Sequence, residues 1–424
     1  MGVIRRETAV PRLEGMHYGY VILFFSMLNI AGSLGIGRFA YTMILPAMRE
    51  GLGLHNTQMG LIGSIGFIGY LAMAIPGGVL AARFGPRVVI ALALLSTGAG
   101  MMLMGTVGGV ACAGLLMAVV GIGSAAGNAA GFAFAGSWFP GRSRGRATGV
   151  TLGGAGVGMV AVGLLVPVVL SGSGPGGWRW AWAWCGCITA CLGILCWSFL
   201  RNRPEDMKLA PVGGPRAESR ERGPGSRSAW KTLATSREMR RIYAVTLTLG
   251  FAYVIYGTFF GAYAEDELGL SEARAGALWS VVGFLSIFSG LIGGFLADRL
   301  GRQQAFTILF AALGTALLLM ALGRTSLSLY LAVGLYGLCV WRFPVILAVW
   351  CGDLFGPRLA PAGVGFGIFF FAIGQALGPV AAGFLYDRTG SFTAPFLCGA
   401  AASALGILAT WLRLGGPDHG AAAG

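Results

Sequence analysis

GGFLADRLGRQQA (residues 293–305) has a near copy upstream, GGVLAARFGPRVV (77–89). The offset is 216 residues, and it recurs: SWFPGRSRGRATG (137–149) aligns with DLFGPRLAPAGVG (353–365) at the same spacing. Each copy follows one long apolar run and precedes another. A repeat carried by paired hydrophobic segments describes a membrane protein assembled from two related halves.

The rest of the chain agrees. Of its 424 residues, 56% are hydrophobic and only 11% charged, against about 25% charge in a soluble domain. Apolar stretches of about 20 residues, the length a spanning helix needs, recur from end to end. The pattern predicts an all-α integral membrane fold of twelve transmembrane helices in two pseudo-symmetric six-helix bundles. Residues 1–16 read as a cytoplasmic arm and 17–200 as the first bundle, with helices at 17–45, 57–82, 86–106, 109–139, 147–170 and 178–200. Pro46 is expected to end or kink the first helix. Residues 201–240, polar and proline-containing, read as a cytoplasmic linker, with a short helix from Trp230 onward as an option. The second bundle, 241–412, takes helices at 241–264, 273–297, 303–323, 327–352, 362–386 and 393–412, followed by a tail at 413–424. The 73 glycines would be costly in soluble helices but allow close helix approach in lipid.

The net charge of +14 does not indicate nucleic acid, because no basic domain with interleaved aromatics is present. The positive charges instead gather in alternate loops. With both termini inside, only Arg49, Arg179, Arg274, Arg324 and Arg388 fall outside, and only Arg38 and Arg342 lie within spans. The other Lys and Arg residues are cytoplasmic. That asymmetry predicts a multi-pass protein of the cytoplasmic membrane with both ends in the cytoplasm.

Catalytic and cofactor chemistry finds no foothold. Cys185 and Cys187 have no second pair or nearby histidine, so they do not form a zinc site. Gly154, Gly156 and Gly158 follow no strand and precede no βαβ acid, so they are not a dinucleotide loop. The chain has three histidines and neither a metalloprotease motif nor a nucleophile elbow. No cofactor and no metal are expected.

At the duplicated loop the sequence resembles the major facilitator superfamily, over about residues 17–412. The pattern G-x-x-x-D-R-x-G-R is intact in the second half as Gly294, Asp298, Arg299, Gly301 and Arg302. The first half keeps Gly78, Arg83, Gly85 and Arg87, with Ala82 in place of the aspartate. GRFAYTMILPAM (37–48) is similar to the bacterial YbfB/YjiJ-type proteins. YAEDELGLS (263–271) and FLSIFSGLIGGFLADRLGR (284–302) are similar to monocarboxylate and oxalate/formate-type carriers. The resemblance implies a carrier working by alternating access, with helices 1, 4, 7 and 10 around a central cavity. It also implies gating roles for Arg83, Arg87, Asp298, Arg299 and Arg302, with first-half latching weakened by Ala82.

Arg38 and Arg342 are the first candidates for a substrate site. An arginine inside a span is costly and marks a functional position. Arg342, about midway along helix 10, is expected to be the stronger grip, since it is too deep to reach an interface. Arg38 lies nearer the outer mouth, and snorkelling there is the alternative. The guanidinium fork suits a bidentate carboxylate. Trp341 flanks Arg342, and Pro344 is expected to break helix 10 locally. Asn128, Tyr253, Tyr256 and Gln375 are polar groups on predicted cavity helices; helix packing is the alternative for each. The predicted helices of the first half contain no Asp or Glu. Buried arginines without buried acids make a cavity that attracts anions. The expected partners are a small anionic substrate, a co-transported proton or a counter-anion, and membrane lipid, with the protein acting as a monomer. A drug or metabolite exporter of the same fold and a nontransporting membrane sensor are the rival readings.

Overall fold

The structure is a computed structural model that describes residues 17–139, 143–212, 233–323 and 325–412. Twelve helices in it are long and apolar enough to cross a membrane. In chain order they are α1 (Tyr18–Leu52), α2 (Asn56–Phe84), α3 (Pro86–Met104), α4 (Val110–Trp138), α5 (Ser143–Ser173) and α6 (Gly177–Phe199), then α7 (Arg237–Asp266), α8 (Glu272–Leu300), α9 (Arg302–Leu322), α10 (Ser326–Gly356), α11 (Leu359–Thr389) and α12 (Thr393–Trp411). The predicted arm and tail and most of the linker, Trp230 included, lie outside the described residues; of the short helix expected from Trp230 onward, residues 233–235 are described and are helical.

The sequence repeat is also a backbone repeat. Gly85 and Gly301 occupy equivalent places between α2 and α3 and between α8 and α9, with φ of 86° and 87°. Only glycine takes that conformation without strain. These two turns define one end of the molecule, called here the signature end. α2 packs on α4 and α3 on α6 within the first bundle; α7 packs on α11 and α9 on α12 within the second. Three pairs join the bundles: α2 with α11, α5 with α8, and α1 with α7. Ile75, Leu115, Val168 and Leu327 stay exposed on the outer faces. Apolar exposure on this scale is what a lipid-facing surface requires.

Glycine makes the close approach between bundles possible. A Cβ on Gly60 of α2 would stand 2.1 Å from the Pro379 carbonyl oxygen of α11. One on Gly163 of α5 would stand 2.4 Å from the Gly276 oxygen of α8, and one on Gly156 of α5 would stand 2.5 Å from the Gly283 oxygen. Side chains at these positions would force the bundles apart, so small residues here are a packing requirement.

Three helices depart from prediction. α1 does not stop near Pro46 but continues to Leu52, carrying Pro46 inside it. Its irregularity lies earlier, where Ala31–Ile36 forms a π-helical segment. α5 starts at Ser143, so Arg144 and Arg146 ride on the helix rather than in the preceding loop. α10 does break, but before Pro344. The helix stops at Cys339 and restarts at Arg342, leaving Val340 and Trp341 between. Pro344 then sits in the first turn of the restarted helix, where its missing N–H costs no hydrogen bond.

Candidate functional site

Two cavities lie between the bundles. The smaller, about 40 Å³, is formed by α1, α2 and α4 from the first bundle and α7 from the second. The larger, about 1110 Å³, runs between α5, α8 and α10. Trp341 and Pro344 line its deep part, while Arg144, Arg146 and Asp298 line it near the signature end.

Arg38 belongs to the smaller pocket. It follows directly on the π-helical segment, whose wider turn shifts the register of everything after it. The shift accompanies a very close approach: a Cβ on Gly35 would lie 2.5 Å from the Gly158 Cα of α5. The Arg38 guanidinium carbon is 4.7 Å from the centroid of Phe67, 5.6 Å from Tyr70 and 5.7 Å from Phe39. Contacts of this kind are worth roughly 1–2 kcal/mol to a desolvated cation, but they neutralise no charge. Arg38 Nη2 is buried with no hydrogen-bond partner among the described residues. Among those residues, no acid lines this pocket.

Other predicted residues gather around Arg38. Tyr253 lines the same pocket, 6% exposed, and its buried hydroxyl lies beside the Tyr336 phenol. Asn128 lines neither cavity but stands behind Tyr70, donating from Nδ2 to its hydroxyl at 2.7 Å, while its Oδ1 is buried with no partner among the described residues. Thr42, also lining the pocket, donates to the Gly257 carbonyl of α7 at 2.5 Å, which ties the two bundles together beside it.

The remaining candidates lie elsewhere. Arg342 is 6% exposed and packs its stem against α8, where a Cβ on Gly293 would meet the Arg342 Cβ at 3.0 Å. Its Nε is buried and unpartnered. It lines neither of the two cavities, although its neighbour Trp341 lines the larger. The backbone N–H of Trp341 donates to Ser289 Oγ at 3.0 Å, fixing the break in α10 against α8. Trp341 meets Phe39 edge to face, with ring centroids 6.3 Å apart. Phe39 lines the small pocket and Trp341 the large cavity, so this ring pair stands between them. Tyr256 is fully buried and stacks on Tyr336 of α10 at 3.9 Å. Gln375 is 1% exposed with an unpartnered Nε2. Neither lines either cavity.

The signature loops are fastened within their own bundles. Arg302 bonds Asp353 of α10 at 2.7 Å and lies 3.5 Å from Asp298. Arg87 donates through Nε to the Trp197 carbonyl at 2.8 Å, and its backbone N–H donates to Asn202 Oδ1. Arg83 and Arg299 are exposed, each over a neighbouring ring, Phe84 and Phe295. Among the described residues no ion pair crosses between bundles at this end.

The opposite end is closed. Arg49 of α1 makes a bidentate pair with Asp266 of α7 at 2.6 and 2.9 Å. Asp387 of α11 accepts from the backbone N–H groups of Asn56 and Thr57, capping the start of α2. A carboxylate suits a helix N-terminus. Sequence reasoning does not single out these closure residues, nor Tyr70 and Phe67 of the small pocket. Their signals are an acidic cluster, Glu265–Glu267, at the end of a span and the only phenol in α2.

A family model described as the Major Facilitator Superfamily matches residues 27–366. A probable sulfoacetate transporter of Cupriavidus necator is 27% identical over 405 residues, covering 88% of this chain and 89% of that protein. A hexuronate transporter of Bacillus subtilis is 24% identical, covering 89% and 90%. The crystal structure of a bacterial homologue of the human lysosomal transporter Spinster, inward-facing and unoccupied, shares the fold at a TM-score of 0.75, with 16% identity over 93% of this chain and 97% of that one. With twelve spans, a duplicated signature loop and a matching family model over most of its length, the chain belongs to the Major Facilitator Superfamily and is a membrane transporter, not an enzyme.

Proposed function

We propose that this protein moves a small organic anion, a carboxylate or a close analogue, across the bacterial cytoplasmic membrane by alternating access. The observation that carries the proposal is Arg38: a half-buried guanidinium between the bundles, in a pocket without an acid among the described residues, with one buried nitrogen that none of them satisfies. A buried donor of a charged group is costly to leave unpaired, and an anionic ligand supplies the partner. The relatives' named cargoes, sulfoacetate and hexuronate, are both organic anions.

In this reading Arg38 holds the anionic head and Tyr253 donates to it. Trp341 and Phe39 separate the bound state from the large cavity. Arg342 offers a second positive charge at the break in α10, and Gln375 and Tyr256 shape the surrounding packing. The signature end is cytoplasmic, so the conformation is open inward and closed outward. Closing the inward side brings the signature-end portions of α5 and α8 together, beyond the glycine contacts they already make, and carries Arg144 and Arg146 toward Asp298. No carboxylate among the described residues lines the small pocket, so a proton travels with the substrate or an anion is exchanged for it.

Orientation is checked by labelling. In a background with the native cysteines replaced, a cysteine at exposed Ser173 is expected to react with an impermeant reagent in intact cells. A cysteine at exposed Glu205 is expected to react only after permeabilisation. The reverse pattern inverts the topology. Substrate class is checked by thermal unfolding of the purified protein with carboxylates, sulfonates and cationic drugs. A ligand at 100 times its Kd stabilises the native state by about 2.7 kcal/mol. Stabilisation by anions alone is expected; stabilisation by cations alone would overturn the proposal.

A further inference from the structure

Within the anion-carrier reading, on which this step rests, we infer that the Arg38 pocket selects acids carrying a hydroxyl group beside the anionic head, with Asn128 as the residue that reads the hydroxyl. The argument begins with donors. Arg38 Nη2 is buried at the pocket with no partner among the described residues, and the Tyr253 hydroxyl, beside the Tyr336 phenol, is a second donor there. Tyr70 accepts from Asn128 Nδ2 and so keeps its own proton free to donate. All three offer hydrogens, as an anion demands.

Asn128 breaks the pattern. Met117, Gly121 and Ser124 of α4 line the pocket, and Asn128 continues that stripe one helical turn further. Its Nδ2 is committed to Tyr70, which turns Oδ1 into an acceptor. That oxygen is buried and has no partner among the described residues. Asn128 does not itself line the pocket but stands behind Tyr70, which does, and an acceptor so close to the pocket wall repels a bare carboxylate and is left unsatisfied by an alkyl group. A substrate hydroxyl satisfies it: the carboxylate faces Arg38 and Tyr253, and the adjacent O–H donates to Asn128. A site built around a substrate hydroxyl discriminates against the analogue lacking it far better than an apolar pocket discriminates by size. The pocket, about 40 Å³, has room for the head of such an acid, not for a long chain.

The test compares matched acids: lactate with propionate, and malate with succinate. Affinities for purified wild-type protein are measured by titration calorimetry and by competition in proteoliposome uptake. The hydroxy acid of each pair is expected to bind at least 10-fold more tightly. Asn128→Leu is expected to bring that ratio close to one by weakening the hydroxy acid alone. Tyr253→Phe, by contrast, should weaken both members of a pair equally and preserve the ratio. Only a hydroxyl reader moves the ratio, so general loosening of packing does not imitate the result. Should Asn128→Leu fail to fold, Asn128→Ser and the wild-type ratio still decide. Equal affinities within both pairs would overturn the inference while leaving the anion carrier standing. Binding of none of the four acids would overturn both.

Discussion

Arg38→Ala is expected to abolish saturable anion uptake while the protein remains folded and monodisperse in detergent. Among the described residues the Arg38 guanidinium is the only cation lining the small pocket, and no acid there depends on it for neutralisation. Its removal therefore leaves no uncompensated carboxylate behind. Folding is expected to survive for the same reason: the guanidinium packs on the rings of Phe67, Tyr70 and Phe39 and, among the described residues, forms no ion pair between helices. Arg38→Lys separates charge from shape. It keeps the charge but loses the planar fork that donates to two carboxylate oxygens at once. A loss of about 2 kcal/mol or more in binding, roughly 30-fold, is the usual scale for damaging a buried charged pair. Arg342→Ala should weaken uptake less, since Arg342 lines neither cavity. A larger effect at Arg342 than at Arg38 would move the primary grip to the break in α10. Titration calorimetry and initial uptake rates for the three variants check the order.

Gly60→Ala is expected to block the transport cycle by preventing closure of the end opposite the signature loops. Three devices hold that end shut, the Asp387 cap on α2, the Arg49–Asp266 pair and a glycine seam, and the last two differ in magnitude. Arg49 and Asp266 are partly exposed, with side chains 16% and 22% accessible. Such a pair contributes roughly 1 kcal/mol or less. The glycine seam is stricter, because an added methyl at Gly60 would stand 2.1 Å from the Pro379 oxygen, 2.7 Å from its carbonyl carbon and 3.1 Å from the Val380 Cα. Those atoms are all backbone, so no rotamer change relieves the clash. The seam lies between bundles rather than inside one, so each bundle still folds. Uptake should fall at least 10-fold. A reporter cysteine at Asn56, 4% exposed in the closed seam, should become reactive to an impermeant reagent. Arg49→Gln should change both readouts far less. Unchanged uptake and an unreactive Asn56→Cys reporter in the Gly60→Ala background would show that the seam does not close the carrier.

How much of this is legible in sequence follows from what each feature depends on. The twelve spans, the halves and the matching glycine turns at Gly85 and Gly301 are local patterns repeated at one offset, and sequence carries them directly. Arg38 is visible because charge within an apolar run has few explanations. Its place relative to Arg342 is not, since the π-helical segment at Ala31–Ile36 changes register without any marker stronger than Gly32, Ser33 and Gly35. The break in α10 is expected at Pro344 but falls at Val340–Trp341, because proline at the start of a helix is compatible with it. Which tyrosine faces a pocket is not legible either. Tyr253 and Tyr256 share one face of α7 and both stack on Tyr336 of α10, at 5.6 and 3.9 Å, yet only Tyr253 also reaches the small pocket. The pairing of Arg49 with Asp266 and of Asp387 with the start of α2 joins residues from opposite halves of the chain, and no local pattern announces such partners.

The most direct measurement of the account is counterflow in proteoliposomes loaded with an unlabelled organic acid and diluted into the same acid carrying a radiolabel. The account predicts transient accumulation of label above equilibrium for wild type, saturable and competed by other small carboxylates, and none for Arg38→Ala reconstituted at equal density. Counterflow that survives in Arg38→Ala with unchanged affinity, or a wild-type protein that moves no organic anion, would contradict it.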